Sequence, residues 1–171
     1  MWTKLTDDGR IKEAFLDIDD QLIKDVIYDI IKIGDQMNRQ TPIMGTMTNY
    51  HTDTPAFNKL SDLIVKSLDF AVIKMDIFWG HSLKGDDYIA PHHHQTEAKL
   101  FKKWKSFVFY LDVPEGSGEI YFPFYDLMKT PEKKQILVFD EDVMHEVLAN
   151  YDKEIVRYAC SGNLLVSRKS G

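Results

Sequence analysis

From residue 71 onwards the chain alternates apolar and polar residues in short runs, and this alternation limits the fold more than any other feature. A period of two residues places every second side chain on one face of a β-strand. Turn-forming residues separate the runs, at 84–86, 115–118, 130–131 and 150–153. The pattern predicts seven short strands, at 71–79, 88–94, 106–113, 120–124, 135–139, 145–149 and 154–160.

Two amphipathic helices are predicted before these strands. The first begins at Asp19 or Asp20, where an aspartate cap precedes apolar residues at helical spacing. The second begins at Thr54-Pro55, since threonine caps helices and proline suits the first helical position. Many strands after two helices predict a mainly β sandwich or jelly roll with N-terminal helices along one face.

The same pattern predicts how the chain is divided. Residues 1–70 provide mostly helical support and residues 71–166 the β core, within one domain spanning 1–171. Pro123 has no N–H for a sheet ladder, so 120–124 is expected to be an edge strand or a bulged one. Residues 44–53 are expected to form a loop.

Composition excludes some classes of protein. With 27 acidic and 21 basic residues the net charge is −6, which argues against general binding to nucleic acid. Cys160 is the single cysteine, so no internal disulfide forms and no oxidising compartment is required. The sequence has neither an apolar run of about eighteen residues nor a signal peptide, and we expect a cytoplasmic protein without a membrane partner.

The histidines are the candidate chemical residues. On an extended strand His92 and His94 project to one side and His93 to the other. With His145 from a distant strand, they form half of the coordination shell of a divalent metal and leave positions open for substrate or oxygen. Two alternatives stay open: the histidine run is a solvated loop, or Glu97 replaces His94 as the second ligand. His51 and His81 are predicted to lie in loops without partners.

Arg157 is the second candidate. A turn centred on Tyr151 predicts a hairpin that places residue 157 opposite His145, with Arg157 on an apolar strand face. A buried guanidinium requires an anion, and a bound dicarboxylate matches its fork geometry. The alternative is a salt bridge to an acidic side chain. Cys160 points to the other face of this strand and is predicted to be a core thiol.

The order of these pieces resembles the iron(II)/2-oxoglutarate-dependent oxygenases, and most closely a small oxygenase family of bacteria and tailed phages. The resemblance covers roughly residues 75–165. The matching segments are 92–94, 106–110, 113–122, 145–147 and 154–157 with Asn163.

This resemblance implies a double-stranded β-helix in which His92, His94 and His145 hold Fe(II). Arg157 would anchor the far carboxylate of the co-substrate 2-oxoglutarate, and Tyr110 would assist it. Dioxygen would then hydroxylate an unidentified substrate, with release of succinate and carbon dioxide. The protein would act in the cytoplasm of a bacterium or, if phage-encoded, of the host cell.

The sequence departs from the usual oxygenase pattern in three places. His94 stands where most members have an acidic ligand, and Ala159 stands where an Arg-x-Ser pattern has serine. The link at 95–105 is long and rich in lysine and aromatic residues, so it either covers the mouth of the site or forms a solvated turn. Two other functions stay open: a cupin-like protein that binds metal or a small ligand, and a structural jelly roll without oxygenase activity.

Overall fold

The computed structural model describes residues 1–38, 40–95 and 103–167, and in these ranges the chain is mainly β. The helices are α1 (Asp20–Ile33) and α2 (Pro55–Ser67). The strands are β1 (Thr3–Lys4), β2 (Ile11–Phe15), β3 (Ile43–Met44), β4 (Thr46–Met47), β5 (Val72–Lys84), β6 (Tyr88–His92), β7 (Lys103–Asp112), β8 (Ile120–Phe122), β9 (Leu127–Lys129), β10 (Gln135–Asp140), β11 (His145–Val147) and β12 (Val156–Val166).

The strands form two antiparallel sheets that face one another. The large sheet has the order β1-β2-β10-β7-β12-β5-β4, and the small sheet has the order β3-β6-β11-β8-β9. Side chains between the sheets form one core, which includes Trp79, Tyr110 and Ala159. This arrangement confirms the predicted double-stranded β-helix.

Both helices begin where the sequence predicts and pack on the outer face of the large sheet. The Asp19 side chain accepts a hydrogen bond from the Gln21 N–H at 2.7 Å, and Thr54 Oγ1 accepts one from the Phe57 N–H at 3.1 Å. A second core lies between helices and sheet and includes Ile30, Phe57 and Cys160. None of the helices in the described ranges is long and apolar enough to cross a lipid bilayer.

The strand pairing corrects the predicted hairpin between 145 and 157. His145 lies in β11, which pairs with β6 and β8 in the small sheet. Arg157 lies in β12, which pairs with β5 and β7 in the large sheet. The turn at 150–153 therefore carries the chain from one sheet to the other, and the two residues face each other across the interior.

Three local predictions were also wrong. His81 is not in a loop, because β5 continues to Lys84 along its pairing with β12. Pro123 does not disturb a strand, since β8 ends at Phe122 and lies between β11 and β9, and a 3₁₀ turn begins at the proline. Residues 44–53 include β4, which pairs with β5.

Gly80 allows the helices to approach the large sheet closely. A Cβ atom there would lie 2.5 Å from Cγ1 of Ile30 in α1 and 2.9 Å from Cζ of Phe57 in α2. The neighbouring residues Trp79 and His81 alternate to the inner face of the sheet. A displaced β5 would therefore also move side chains between the sheets.

We predict that Gly80→Ala lowers the free energy of unfolding by about 1–3 kcal/mol, because the added methyl overpacks this contact. Urea unfolding measures the change. The Ile30→Ala background removes the nearest atoms. In that background, Gly80→Ala is expected to lower the free energy of unfolding by clearly less. Equal costs in the two backgrounds would contradict this account of Gly80.

Candidate metal and co-substrate site

Three imidazoles converge at one end of the space between the sheets. His92 ends β6, His94 follows it by two residues, and His145 begins β11 in register with His92. The ring centroids are 4.2 Å apart for His92 and His145, 5.1 Å for His92 and His94, and 5.2 Å for His94 and His145. One nitrogen from each ring lies within 4.8 Å of the other two. The predicted trio is therefore brought together, while His93 is exposed.

Each ring has its Nδ1 engaged by an oxygen atom. His92 Nδ1 is 2.8 Å from the Ala90 carbonyl, and His145 Nδ1 is 2.9 Å from the Val143 carbonyl. His94 Nδ1 is 2.7 Å from Oδ1 of Asn163. An oxygen acceptor requires the proton on Nδ1, which puts the lone pair of each ring on Nε2. Imidazoles with this tautomer can bind a metal through Nε2.

The spacing of the Nε2 atoms fits a divalent metal. Nε2 of His92 and Nε2 of His94 are 3.2 Å apart, although two lone pairs at this distance repel each other without a cation between them. Ligands at about 2.0–2.1 Å and at right angles would be about 3.0 Å apart. A shell of three nitrogen atoms suits zinc, iron, nickel or copper more than magnesium or calcium.

Burial keeps two of these imidazoles neutral. It lowers the pKa of His145 well below its ordinary value, and the neighbouring His92 and His94 add to this effect. It also lowers the pKa of His92. Neutral rings bind a metal without first losing a proton.

Arg157 is buried on the inner face of β12, with a relative exposure of 1%. Its Nη1 donates to the Gly118 carbonyl, while its Nε has no partner. No acidic side chain in the described ranges forms an ion pair with it, which removes the predicted alternative for that part of the chain. Burial lowers the pKa of Arg157.

Tyr110 lies against Arg157 in the interior. The guanidinium carbon is 5.6 Å from the centre of the Tyr110 ring. Burial raises the pKa of Tyr110 to about 12, and the positive charge of Arg157 opposes this effect. The Tyr110 hydroxyl has no hydrogen-bond partner, so it is available to a ligand as a neutral donor.

His81 is a further buried residue that the sequence prediction missed. It lies on β5 opposite Ala159 of β12, two residues from the position that pairs with Arg157. Burial lowers the pKa of His81 to about 3, and the charge of Arg157 contributes. Its Nδ1 has no partner.

A narrow cavity of about 40 Å³ connects the histidines to Arg157. Four of the residues that line it carry a buried polar atom without a partner: Trp79 Nε1, His81 Nδ1, Tyr110 Oη and Arg157 Nε. Because an unpaired buried polar group costs free energy, such a cluster indicates a place where a polar ligand binds. The donors at the far end suit a carboxylate.

A wider pocket of about 260 Å³ opens on the other side of the histidines. His92, His94, Trp79 and Ile43 line both spaces and therefore separate them. The outer pocket is also lined by Tyr50, whose ring meets the Trp79 ring edge-on at 5.3 Å, and by other mostly apolar residues. In the described ranges its lining includes no acidic, lysine or arginine side chain.

Part of the predicted cover segment belongs to the sheet. Lys105 lies in β7 and pairs with Asp140 at 2.8 Å, and Trp104 in the same strand is buried. Glu97, the alternative ligand, lies outside the described residues, as does the rest of the segment from 96 to 102.

Solved structures share this arrangement of strands, although no protein-family model and no curated protein matches the sequence. A viral collagen prolyl hydroxylase from Paramecium bursaria chlorella virus-1, in complex with 2-oxoglutarate, has a TM-score of 0.67 at 16% identity, covering 92% of this chain and 97% of its own. The fold is that of the 2-oxoglutarate oxygenases.

Two further structures extend this likeness. HygX from Streptomyces hygroscopicus, with nickel, 2-oxoglutarate and hygromycin B bound, has a TM-score of 0.68 at 11% identity, covering 93% of this chain and 84% of its own. A prolyl hydroxylase from Trichoplax adhaerens, in complex with a hypoxia inducible factor peptide, has a TM-score of 0.67 at 13% identity, covering 94% of this chain and 85% of its own.

The buried histidines make the stability of the metal-free protein depend on pH. The unfolded chain takes up protons near pH 6.5, whereas folded His81 and His145 stay neutral. We predict that the free energy of unfolding falls as pH decreases from 6.5 to 5, by up to about 1.4 kcal/mol per pH unit for each histidine. Urea unfolding at several pH values measures this slope.

Two variants identify the source of the slope. His81→Phe removes one buried titrating group and is expected to make the dependence clearly shallower. His51→Gln changes an exposed histidine and serves as the matched control, with the parental slope expected. A slope that is the same in His81→Phe as in the parent would count against this explanation.

Proposed function

We propose that this protein is a metal- and 2-oxoglutarate-dependent oxygenase that hydroxylates a substrate held in the outer pocket. The observation that carries the proposal is the inner cavity, which has three converging imidazoles at one end and, at the other, a buried guanidinium whose Nε has no partner. 2-Oxoglutarate has matching ends, because its oxo acid chelates a metal and its second carboxylate pairs with arginine. Solved structures with this fold contain 2-oxoglutarate.

In this proposal the three histidines hold the metal through Nε2. Bound Fe(II) supplies the redox chemistry that splits dioxygen between succinate and the hydroxylated product, with release of carbon dioxide. Arg157 and Tyr110 bind the far carboxylate, and the neutral His81, whose Nδ1 has no other partner, donates a third hydrogen bond. These contacts fix the co-substrate on the inner side of the metal.

The outer pocket then receives the group that is oxidised. Solved structures of this fold include a collagen prolyl hydroxylase and an enzyme with bound hygromycin B, so the fold alone does not determine the substrate. Here the pocket presents Tyr50, Trp79 and Ile77 beside the histidines. We therefore expect the reacting group to be uncharged.

One observation favours a second function, that of a cupin-like protein which binds metal without oxygenase activity. All three converging ligands are neutral, so the metal keeps its full charge of +2. A carboxylate ligand would remove one unit of that charge. Binding of 2-oxoglutarate to the metal decides between the two functions.

The deciding experiment adds Fe(II) and 2-oxoglutarate to the protein without oxygen. We predict a visible metal-to-ligand charge-transfer band that requires protein, metal and co-substrate together. Pyruvate, which lacks the second carboxylate, is expected to produce the band only at much higher concentration. Metal binding without any band would support the cupin-like function instead.

Arg157 gives a second prediction, measured by calorimetry with metal and 2-oxoglutarate. Arg157→Lys keeps the charge but loses the bidentate contact with the carboxylate, so binding of 2-oxoglutarate is expected to weaken by about 1.5–3 kcal/mol. Arg157→Met removes the charge and is expected to abolish binding while metal affinity stays nearly unchanged. Arg10→Met, which removes a surface arginine paired with Asp140, is the matched control. Parental binding by Arg157→Met would place the carboxylate elsewhere.

A further inference from the structure

His94 is held differently from the other two converging histidines. His92 and His145 each direct Nδ1 to a carbonyl two residues earlier in their own backbone. His94 lies beyond the end of β6, where the strand supplies no such acceptor, and its Nδ1 instead meets the Asn163 side chain at 2.7 Å. The backbone N–H of His94 donates a hydrogen bond to the Glu141 carbonyl at 2.7 Å, and this contact fixes the backbone but not the ring.

Asn163 is itself fixed in the large sheet. It lies on β12 with a relative exposure of 3% and pairs in register with Ser106 of β7. The fully buried Ser106 hydroxyl is 3.0 Å from Asn163 Oδ1 and donates to it. The amide oxygen is thereby held towards His94.

We propose that Asn163 is a positioning residue that sets the tautomer of His94 and so makes it a metal ligand. If the amide nitrogen faced His94 instead, Nδ1 would act as the acceptor and Nε2 would carry the proton, which blocks coordination. The oxygen of a neutral amide also leaves the imidazole neutral, whereas a carboxylate in its place would make the imidazole a stronger electron donor to the metal. This inference rests on the proposed metal site but not on 2-oxoglutarate or on turnover.

The test uses Zn(II) titration of the full chain by calorimetry. Asn163→Leu removes the acceptor and is expected to weaken Zn(II) binding by about 10–100-fold, the usual effect of losing such a partner. Asn163→Asp restores an acceptor and is expected to bind Zn(II) at least as tightly as the parent. Gln135→Leu, which removes another buried amide, one that donates to Glu13 in β2, is the control and is expected to keep parental affinity.

Nitrogen-15 NMR of the metal-free parent at neutral pH gives an independent readout, because it reports which ring nitrogen carries the proton. We expect His94 to carry it on Nδ1, and this measurement stands even if Asn163→Leu does not fold. A proton on Nε2 would overturn the inference. So would equal weakening by the leucine and aspartate variants, which indicates a packing role.

The outcomes separate this inference from the proposed function. If the parent binds no divalent metal, both fail. If it binds Zn(II) and the leucine variant binds it equally well, only the role of Asn163 fails. If the Asn163 results hold but no 2-oxoglutarate binds, the oxygenase proposal alone fails.

Discussion

The alternation of side chains along β12 is the constraint on which the site depends. This strand is hydrogen-bonded to β5 on one side and β7 on the other, so its two faces cannot exchange. One face places Cys160 and Leu164 against the helices. The other places Arg157 at one end of the interior and Asn163 at the other. A shift of one residue would bury the guanidinium in the helical core and remove the partner of His94.

Much of this was predictable from the sequence because it follows from period two. The rule placed Arg157 on the opposite face from Cys160, and it placed His92 and His94 on the same side, although β6 ends at His92. The same rule places Asn163 on the face of Arg157, because β12 contains both residues and continues to Val166. Helix starts were also predictable, since capping depends on neighbouring residues alone.

What sequence could not supply was the pairing between distant strands. The turn at 150–153 is compatible with a hairpin and with a crossing between sheets, and only packing selects the crossing. The end of β5 has Gly80 and Ser82 near His81, which are poor strand formers, and its pairing with β12 extends the strand through them. His81 was missed for this reason, although it lies beside Arg157.

The position of His94 just after the end of β6 has a consequence for how such a site can change. A residue inside a strand ladder is constrained by the two neighbouring strands, whereas the contacts of His94 include a backbone hydrogen bond to Glu141 and a side-chain contact with Asn163. Replacement of the side chain at position 94 therefore leaves the sheet pairing untouched. The charge of the proposed metal shell can therefore be changed at position 94 without a change in the fold.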